Sequence, residues 1–192
     1  MGSAKSFRLF PAVVGFWLIL GLLAGCSTSP AGPTPSVQSP PGTSTTVIIL
    51  RHAGRDMTLD VPDPDLTWQG RRRAKKLVGV LGDKGVTAIY CSNLRRNRQT
   101  AQPLADHLGL KPNLVYTSRL SRPEKLAKEL LEEFLTKHTG GVVVWIGNLR
   151  NIEEMYKMVD GTGSPPTKYG TLVIVVIPDE TPPRIRKLTY SE

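Results

Sequence analysis

The stretch Val47-Ile48-Ile49-Leu50-Arg51-His52 decides the fold, because a β-branched apolar run ends here in an arginine and a histidine. Such a run is typical of a buried strand. Open α/β sheets bind ligands just beyond the carboxyl ends of their strands. The pair Arg51-His52 therefore indicates an anion site that holds a nucleophile or a general base, although the same dipeptide is also common on solvated surfaces.

Apolar strands alternate with amphipathic helices along the rest of the chain. One helix is capped by Thr67 and ends at Gly82, a second ends at Gly109, and a third begins at Pro123. Further strands are predicted at residues 86–91, 114–116, 142–146, 172–177 and 185–190, the last of them an edge strand that pairs with the one before it. This alternation predicts a single α/β domain, in which helices cover both faces of a mainly parallel sheet.

The first 25 residues have the pattern of a secretory signal peptide. Lys5 and Arg8 precede an apolar stretch over residues 12–24, which is short for a membrane-spanning helix. The ending Leu23-Ala24-Gly25-Cys26 resembles the bacterial lipobox. That resemblance implies an exported lipoprotein of the cell membrane or outer membrane, with a lipid such as palmitate on Cys26. An ordinary signal peptide and an N-terminal membrane anchor are the alternatives.

The size and net charge of the chain indicate its domain organisation and the kind of partner it suits. Removal of 25 residues from 192 leaves 167, which is enough for one domain. Residues 26–45 are rich in Pro, Ser, Thr and Gly and are expected to form a tether to a domain over residues 46–192. Without Lys5 and Arg8 the formal net charge falls from +9 to +7, which suits an anionic partner such as phosphate, a lipid headgroup or nucleic acid. If Cys26 is lipidated, Cys91 has no disulfide partner, so the apolar core must hold the domain together.

A second cluster of arginines follows the second predicted strand, within residues 91–101. The carboxyl ends of parallel strands share one edge of a sheet, so this cluster is expected beside Arg51-His52. The N-terminus of the following helix adds backbone N–H donors for an anion. A solvated basic helix face is the alternative interpretation of the same residues.

Three motifs occur in a fixed order, namely Arg51-His52-Ala53, then Leu66-Thr67-x-x-Gly70 with Arg73-Ala74, and then Ser92-x-Leu94-x-Arg96-x-x-Gln99-Thr100-Ala101. Their order and spacing over residues 46–110 resemble the histidine phosphatase superfamily, also called phosphoglycerate mutase-like. The resemblance continues more loosely through the strands that begin near residues 142 and 172.

The resemblance implies a catalytic and phosphate-binding set of Arg51, His52 and Arg96. His52 is then the nucleophile, which carries the phosphoryl group until water removes it. The planar forks of Arg51 and Arg96 hold the phosphoryl oxygens through the transition state. The residues alone support the same roles, because two neighbouring guanidinium groups disfavour protonation of an imidazole. The expected partner is a small phosphorylated or anionic ligand, with no cofactor, no metal and no specific nucleic acid.

The chain departs from the family at two places. The family has a second histidine after the late apolar strand, and alignment on Gly147-Asn148 puts Ile146 at that position. Gly54 stands where relatives often have a glutamate. Four carboxylates are candidates for a leaving-group acid by proximity in sequence only, namely Asp56, Asp63, Asp65 and Glu124. His107 and His138 are expected to be surface or cap residues.

Three functional hypotheses follow. The leading one is a lipid-anchored domain that binds a phosphorylated or anionic ligand, with catalysis weak or lost because Ile146 replaces the second histidine. The enzyme alternative is an active phosphomonoesterase that works through phospho-His52. The third is a protein-interaction lipoprotein with a vestigial pocket.

Overall fold

The computed structural model describes residues 37–58, 60–116 and 122–190. Ten elements follow one another along the chain, and they confirm the predicted alternation. They are β1 (Ser44–Arg51), α1 (Trp68–Leu81), β2 (Val86–Ser92), α2 (Arg95–Leu108), β3 (Asn113–Val115), α3 (Pro123–Lys137), β4 (Val142–Gly147), α4 (Leu149–Met158), β5 (Thr171–Pro178) and β6 (Arg184–Thr189).

The six strands form one sheet in the order β3-β2-β4-β1-β5-β6. The first four strands in this order are parallel, whereas β5 pairs antiparallel with both β1 and β6. The predicted edge strand is therefore confirmed as β6. Because β5 runs opposite to β1, the loop between α4 and β5 ends at the carboxyl edge of β1. This return brings residues 167–169 to the place where Arg51 and His52 leave the sheet.

Strand side chains alternate between two apolar cores. Beneath α1 and α2, one core contains Leu77 and Leu104 together with strand residues such as Ile48, Leu50 and Ile146. Beneath α3 and α4, the other contains Phe134 and Ile152 together with Val47, Ile49 and Trp145. Helices thus cover both faces of the sheet, as predicted.

The domain begins earlier than residue 46, the predicted boundary. β1 starts at Ser44, and the buried Ser39 donates from its hydroxyl to Ile177 O at 2.6 Å and accepts from Thr45 N at 3.0 Å. A serine that replaces a missing ladder partner explains why a Pro- and Ser-rich segment packs on the strands here. The signal peptide, Cys26 and most of the tether lie outside the described residues. Within the described residues, no helix combines the length and apolarity needed to span a membrane.

Candidate anion-binding site

His52 lies directly after β1, with a side chain that is 3% exposed. Its Nδ1 lies 2.7 Å from Ala53 O, and its Nε2 lies 3.1 Å from Arg96 Nε. A carbonyl oxygen only accepts, so Nδ1–H is the donor and Nε2 keeps its lone pair. Arg96 Nε–H donates to that lone pair. The Nε2 atom of the predicted nucleophile is therefore fixed in orientation. It accepts a hydrogen bond from Arg96, which is one of the predicted phosphate-binding residues.

Burial lowers the pKa of His52 to about 3. The backbone hydrogen bond to Ala53 opposes this shift, while the positive charges of Arg96, Arg51 and Arg55 add to it. His52 is consequently a neutral imidazole at neutral pH. Such an imidazole can act as a nucleophile, and it adds no positive charge of its own to the site.

Arg96 is the second residue of α2, and all sides of its guanidinium group are engaged. Besides Nε, which donates to His52, its NH2 group donates to Asn148 Oδ1 at 3.0 Å. Its NH1 group lies 3.4 Å from Asp63 Oδ1. Asn148 follows β4 directly, so α2, β1 and β4 all contribute to the position of this arginine.

Arg51 ends β1, and its guanidinium group is turned toward the loop before β5. Its NH1 group donates to Thr167 O at 3.0 Å, and its Cζ atom lies 4.4 Å above the ring of Tyr169. The Tyr169 ring is also 5.7 Å from the His52 ring, centroid to centroid. The loop thus supplies a carbonyl and an aromatic wall that the sequence did not predict.

Asn148 has two further partners at the carboxyl edge of the sheet. Its amide nitrogen donates to Ser92 Oγ at 3.3 Å, and its Oδ1 accepts weakly from Asn97 Nδ2 at 3.4 Å. Asn97 Nδ2 also donates to Ser92 Oγ. This network, in which Ser92 and Asn97 are fully buried, holds Asn148 in place beside Arg96. A polar residue immediately after a strand is the signal that could have identified Asn148.

The motif residues that carry the resemblance also build the loop between β1 and α1. Thr67 Oγ1 caps α1 by accepting from Gly70 N at 3.0 Å. A Cβ atom on Gly70 would lie 2.1 Å from Gly54 O, so only glycine permits this close approach of the two backbones. Thr100 Oγ1 accepts from Ala53 N at 2.9 Å, which ties the residue after His52 to α2.

The structure corrects the placement of Ile146 in the site. Ile146 is fully buried in the core beneath α1 and α2, and it pairs in register with Leu50 and Cys91. Its side chain therefore packs among apolar groups. The next residue, Gly147, has no room for a side chain, because a Cβ atom there would lie 2.7 Å from Trp145 Nε1. The residue that β4 contributes to the polar contacts of the site is Asn148.

Asp63 alone of the four candidate carboxylates contacts the site. Its oxygens accept from Arg95 N at 2.9 and 3.1 Å at the start of α2, in addition to the contact with Arg96. Asp65 pairs with Arg71 and Arg95 and accepts from Gln99. Asp56 accepts hydrogen bonds from the backbone N–H and the hydroxyl of Thr58 within its own loop. Glu124 is exposed on the first turn of α3.

The two other histidines lie away from the site, as predicted. His107 is exposed in the last turn of α2, and His138 is the C-cap of α3, where its Nε2 lies 2.9 Å from Tyr90 Oη. The protein contains three histidines in total. His52 is therefore the one histidine of this chain that the structure brings to Arg51 and Arg96.

Part of the chain matches the model of a known protein family. Residues 47–121 match the model of the histidine phosphatase superfamily, branch 1. The PE-PGRS family protein PE_PGRS11 of Mycobacterium tuberculosis is 37% identical over 81 residues, which are 38% of this chain and 14% of that protein. The chain thus spans only a small part of this relative.

Solved structures share the fold. The SixA protein histidine phosphatase, in complex with tungstate, is similar over 75% of this chain and 96% of its own, with a TM-score of 0.61 and 15% identity. A mycobacterial glucosyl-3-phosphoglycerate phosphatase, in complex with inorganic phosphate, is similar over 77% of this chain and 97% of its own, with a TM-score of 0.55 and 16% identity. At such identities the similarity concerns the fold.

Proposed function

We propose that this chain is a member of the histidine phosphatase superfamily that binds a small phosphorylated or otherwise anionic ligand at Arg51, His52 and Arg96, with hydrolysis weak or lost. The observation that carries the proposal is the contact between Arg96 Nε and His52 Nε2 at 3.1 Å. It places a largely buried cation directly against a neutral imidazole. An oxyanion that reaches Arg96 is therefore also next to the lone pair of His52.

The charge around His52 favours an anion. Arg51, Arg55 and Arg96 all act on its pKa as positive charges, and Asp63 is the carboxylate that pairs with one of them. Hydrogen bonds from a guanidinium group to an oxyanion are charge-assisted and geometrically specific. Solved proteins of this fold carry tungstate or inorganic phosphate in their complexes. These observations together support an oxyanion ligand.

Two features support weak catalysis. A second histidine does not accompany His52, because His107 and His138 lie elsewhere. The Asp63 carboxylate is already engaged by the start of α2 and by Arg96. Loss of one preorganised group at a transferring phosphoryl typically costs about 10²–10³ in rate, and loss of a general acid about 10²–10⁴. These factors do not simply multiply, since residues of one site act together.

The enzyme alternative rests on the state of His52 itself. Its Nε2 carries a lone pair in a fixed tautomer and can attack phosphorus once Arg96 moves from nitrogen to a phosphoryl oxygen. That step forms a P–N bond, breaks the P–O bond to the leaving alcohol and requires a proton for the departing oxygen. Water then cleaves the P–N bond and releases phosphate.

An assay of p-nitrophenyl phosphate hydrolysis distinguishes the anion-binding domain from the active phosphomonoesterase. The full-length protein and its His52→Ala variant are measured side by side. The proposal predicts rates near the uncatalysed background for both proteins. Turnover well above background that disappears in His52→Ala would establish the phosphomonoesterase instead. His107→Ala is the matched control, because it removes an exposed imidazole outside the site.

We further propose that Cys26 carries a lipid and holds the exported domain at a membrane. The support is the order of basic residues, apolar stretch and lipobox-like ending in residues 1–26. Metabolic labelling with a palmitate analogue tests this, with Cys26→Ser as the control. Equal labelling of both proteins would contradict the proposal.

The third hypothesis is a protein-interaction lipoprotein with a vestigial pocket. Failure of both phosphate and vanadate to bind would favour it.

A further inference from the structure

We propose that the domain docks on an anionic lipid bilayer through the rim of the His52 site. This rim consists of the exposed apolar side chains and arginines at the carboxyl edge of the sheet. The first observation is the distribution of exposed apolar side chains. In the part of the chain that the structure describes, the large hydrophobic residues with the greatest exposure are Met57, Val61, Trp68, Leu114, Tyr116 and Leu149. Trp68 is 68% exposed and Tyr116 is 78% exposed, so both rings are largely in water.

The topology brings these residues to one edge of the domain. Met57 and Val61 lie in the loop that follows β1, and Trp68 begins α1 directly after that loop. Leu114 lies within the short strand β3, Tyr116 directly follows that strand, and Leu149 begins α4 one residue after β4. Since β1, β3 and β4 belong to the parallel part of the sheet, all three positions are at its carboxyl edge. This is the edge that holds His52.

Arginines interleave with these apolar residues. Exposed arginines near the starts of helices at the same edge include Arg71, Arg72, Arg95, Arg98 and Arg150. The Cζ atom of Arg72 lies 4.7 Å above the ring of Trp68. Carboxylates of the loop after β1 offset part of this charge, and Asp65 pairs with both Arg71 and Arg95. The arginines of the site itself add to the positive charge.

This combination fits a lipid surface better than a second copy of the chain. Two copies joined by this edge would bring two arginine-rich rims together, which is unfavourable. Trp and Tyr, by contrast, are the side chains that favour the headgroup region of a bilayer, where one end is apolar and the other is wet. Basic residues beside them are attracted to anionic headgroups. Docking in this way would turn the His52 site toward the headgroups.

The inference does not depend on hydrolysis by His52, and it is also distinct from anchoring through Cys26. The N-terminus of the described domain lies at the opposite edge, because Ser39 N donates to Pro178 O beside the start of β1. A lipid on Cys26 brings the domain near a membrane but does not by itself place Trp68 in the bilayer. Contact of Trp68 with lipid is therefore the specific readout.

Fluorescence quenching of Trp68 by lipids brominated on the acyl chains tests the inference. The full-length chain carries Trp17→Phe, so that the remaining tryptophans are Trp68 and the fully buried Trp145. We expect quenching in vesicles of phosphatidylcholine and phosphatidylglycerol, and little in pure phosphatidylcholine. The double variant Arg98→Gln/Arg150→Gln is expected to lower the ratio of docked to undocked protein about 30-fold, at roughly one kcal/mol for each arginine.

The control variant Lys84→Gln/Lys137→Gln removes the same charge from exposed positions in the turn after α1 and at the end of α3, at the opposite edge. It is expected to dock like the parent protein. Equal quenching in neutral and anionic vesicles, or equal effects of the two double variants, would overturn the inference. So would absence of quenching together with concentration-dependent dimerisation, which would assign the rim to a second copy. His52→Ala is expected to dock normally, so failure of docking and failure of ligand binding are separable.

Discussion

Replacement of His52 by asparagine should change how the stability of the domain depends on pH. In the folded protein, burial holds the pKa of His52 at about 3, whereas an unperturbed histidine has a pKa of about 6.5. Between these values the unfolded chain binds a proton at this residue and the folded protein does not. The free energy of unfolding therefore rises with pH over this window, and it falls as the pH is lowered through it.

The size of the effect follows from the two pKa values. The slope is about 1.4 kcal/mol per pH unit well inside the window and vanishes above it. From pH 7 to pH 5 the contribution of His52 amounts to a loss of about 2 kcal/mol, most of it below pH 6.5. The asparagine side chain of the variant does not titrate, so the difference between parent and variant contains this contribution while the shared carboxylates cancel.

Urea unfolding at pH 5, 6 and 7 measures this difference. The advantage of the parent protein over His52→Asn should grow by about 2 kcal/mol from pH 5 to pH 7, whatever its value at pH 7. His107→Asn is the matched control, because it removes an exposed imidazole. Parallel stability curves for the parent and His52→Asn would refute the conclusion that His52 is buried and neutral.

Other predictions concern the packing of the domain. Gly70→Ala should destabilise it by about 1–3 kcal/mol or more, because the new Cβ would lie 2.1 Å from Gly54 O. Gly79→Ala in the same helix meets nothing within 4 Å and should stabilise it by about 0.5–1 kcal/mol, so similar thermal unfolding of the two variants would contradict the packing argument. Burial raises the pKa of the Cys91 thiol to about 12, so in a Cys26→Ser protein Ellman's reagent should react only after unfolding. Rapid reaction of the native protein would show that Cys91 is accessible.

Local signals in the sequence were sufficient for most of the fold. Thr67 caps α1 through its side chain, and Gly109 ends α2 with φ of 66°, a left-handed conformation that favours glycine. Continuous apolar runs also located the core strands. The reversed direction of β5 was not predicted, because strand direction depends on the path of the preceding loop. The early start of the domain was missed because Ser39 acts through a distant carbonyl.

The candidate site was only partly predictable, because contacts between residues distant in sequence complete it. Arg51, His52 and Arg96 were identified because each follows a strand end or belongs to a compact motif. Tyr169 joins them only through tertiary structure. Asn148 directly follows β4, but it carries no charge that distinguishes it from other polar residues. The placement of Ile146 failed because an alignment does not indicate which face of a strand a residue takes.

Isothermal titration of the full-length protein with inorganic phosphate and with orthovanadate tests the central claim most directly. Binding should be saturable with one site per chain, and Arg96→Gln should weaken it at least tenfold, since a hydrogen bond to a charged group contributes about 1.5–3 kcal/mol. Arg71→Gln should bind like the parent, because Arg71 is an exposed arginine paired with Asp65 and not with the site. Absence of saturable binding, or equal affinity of parent and Arg96→Gln, would contradict the assignment of the anion site to His52 and Arg96.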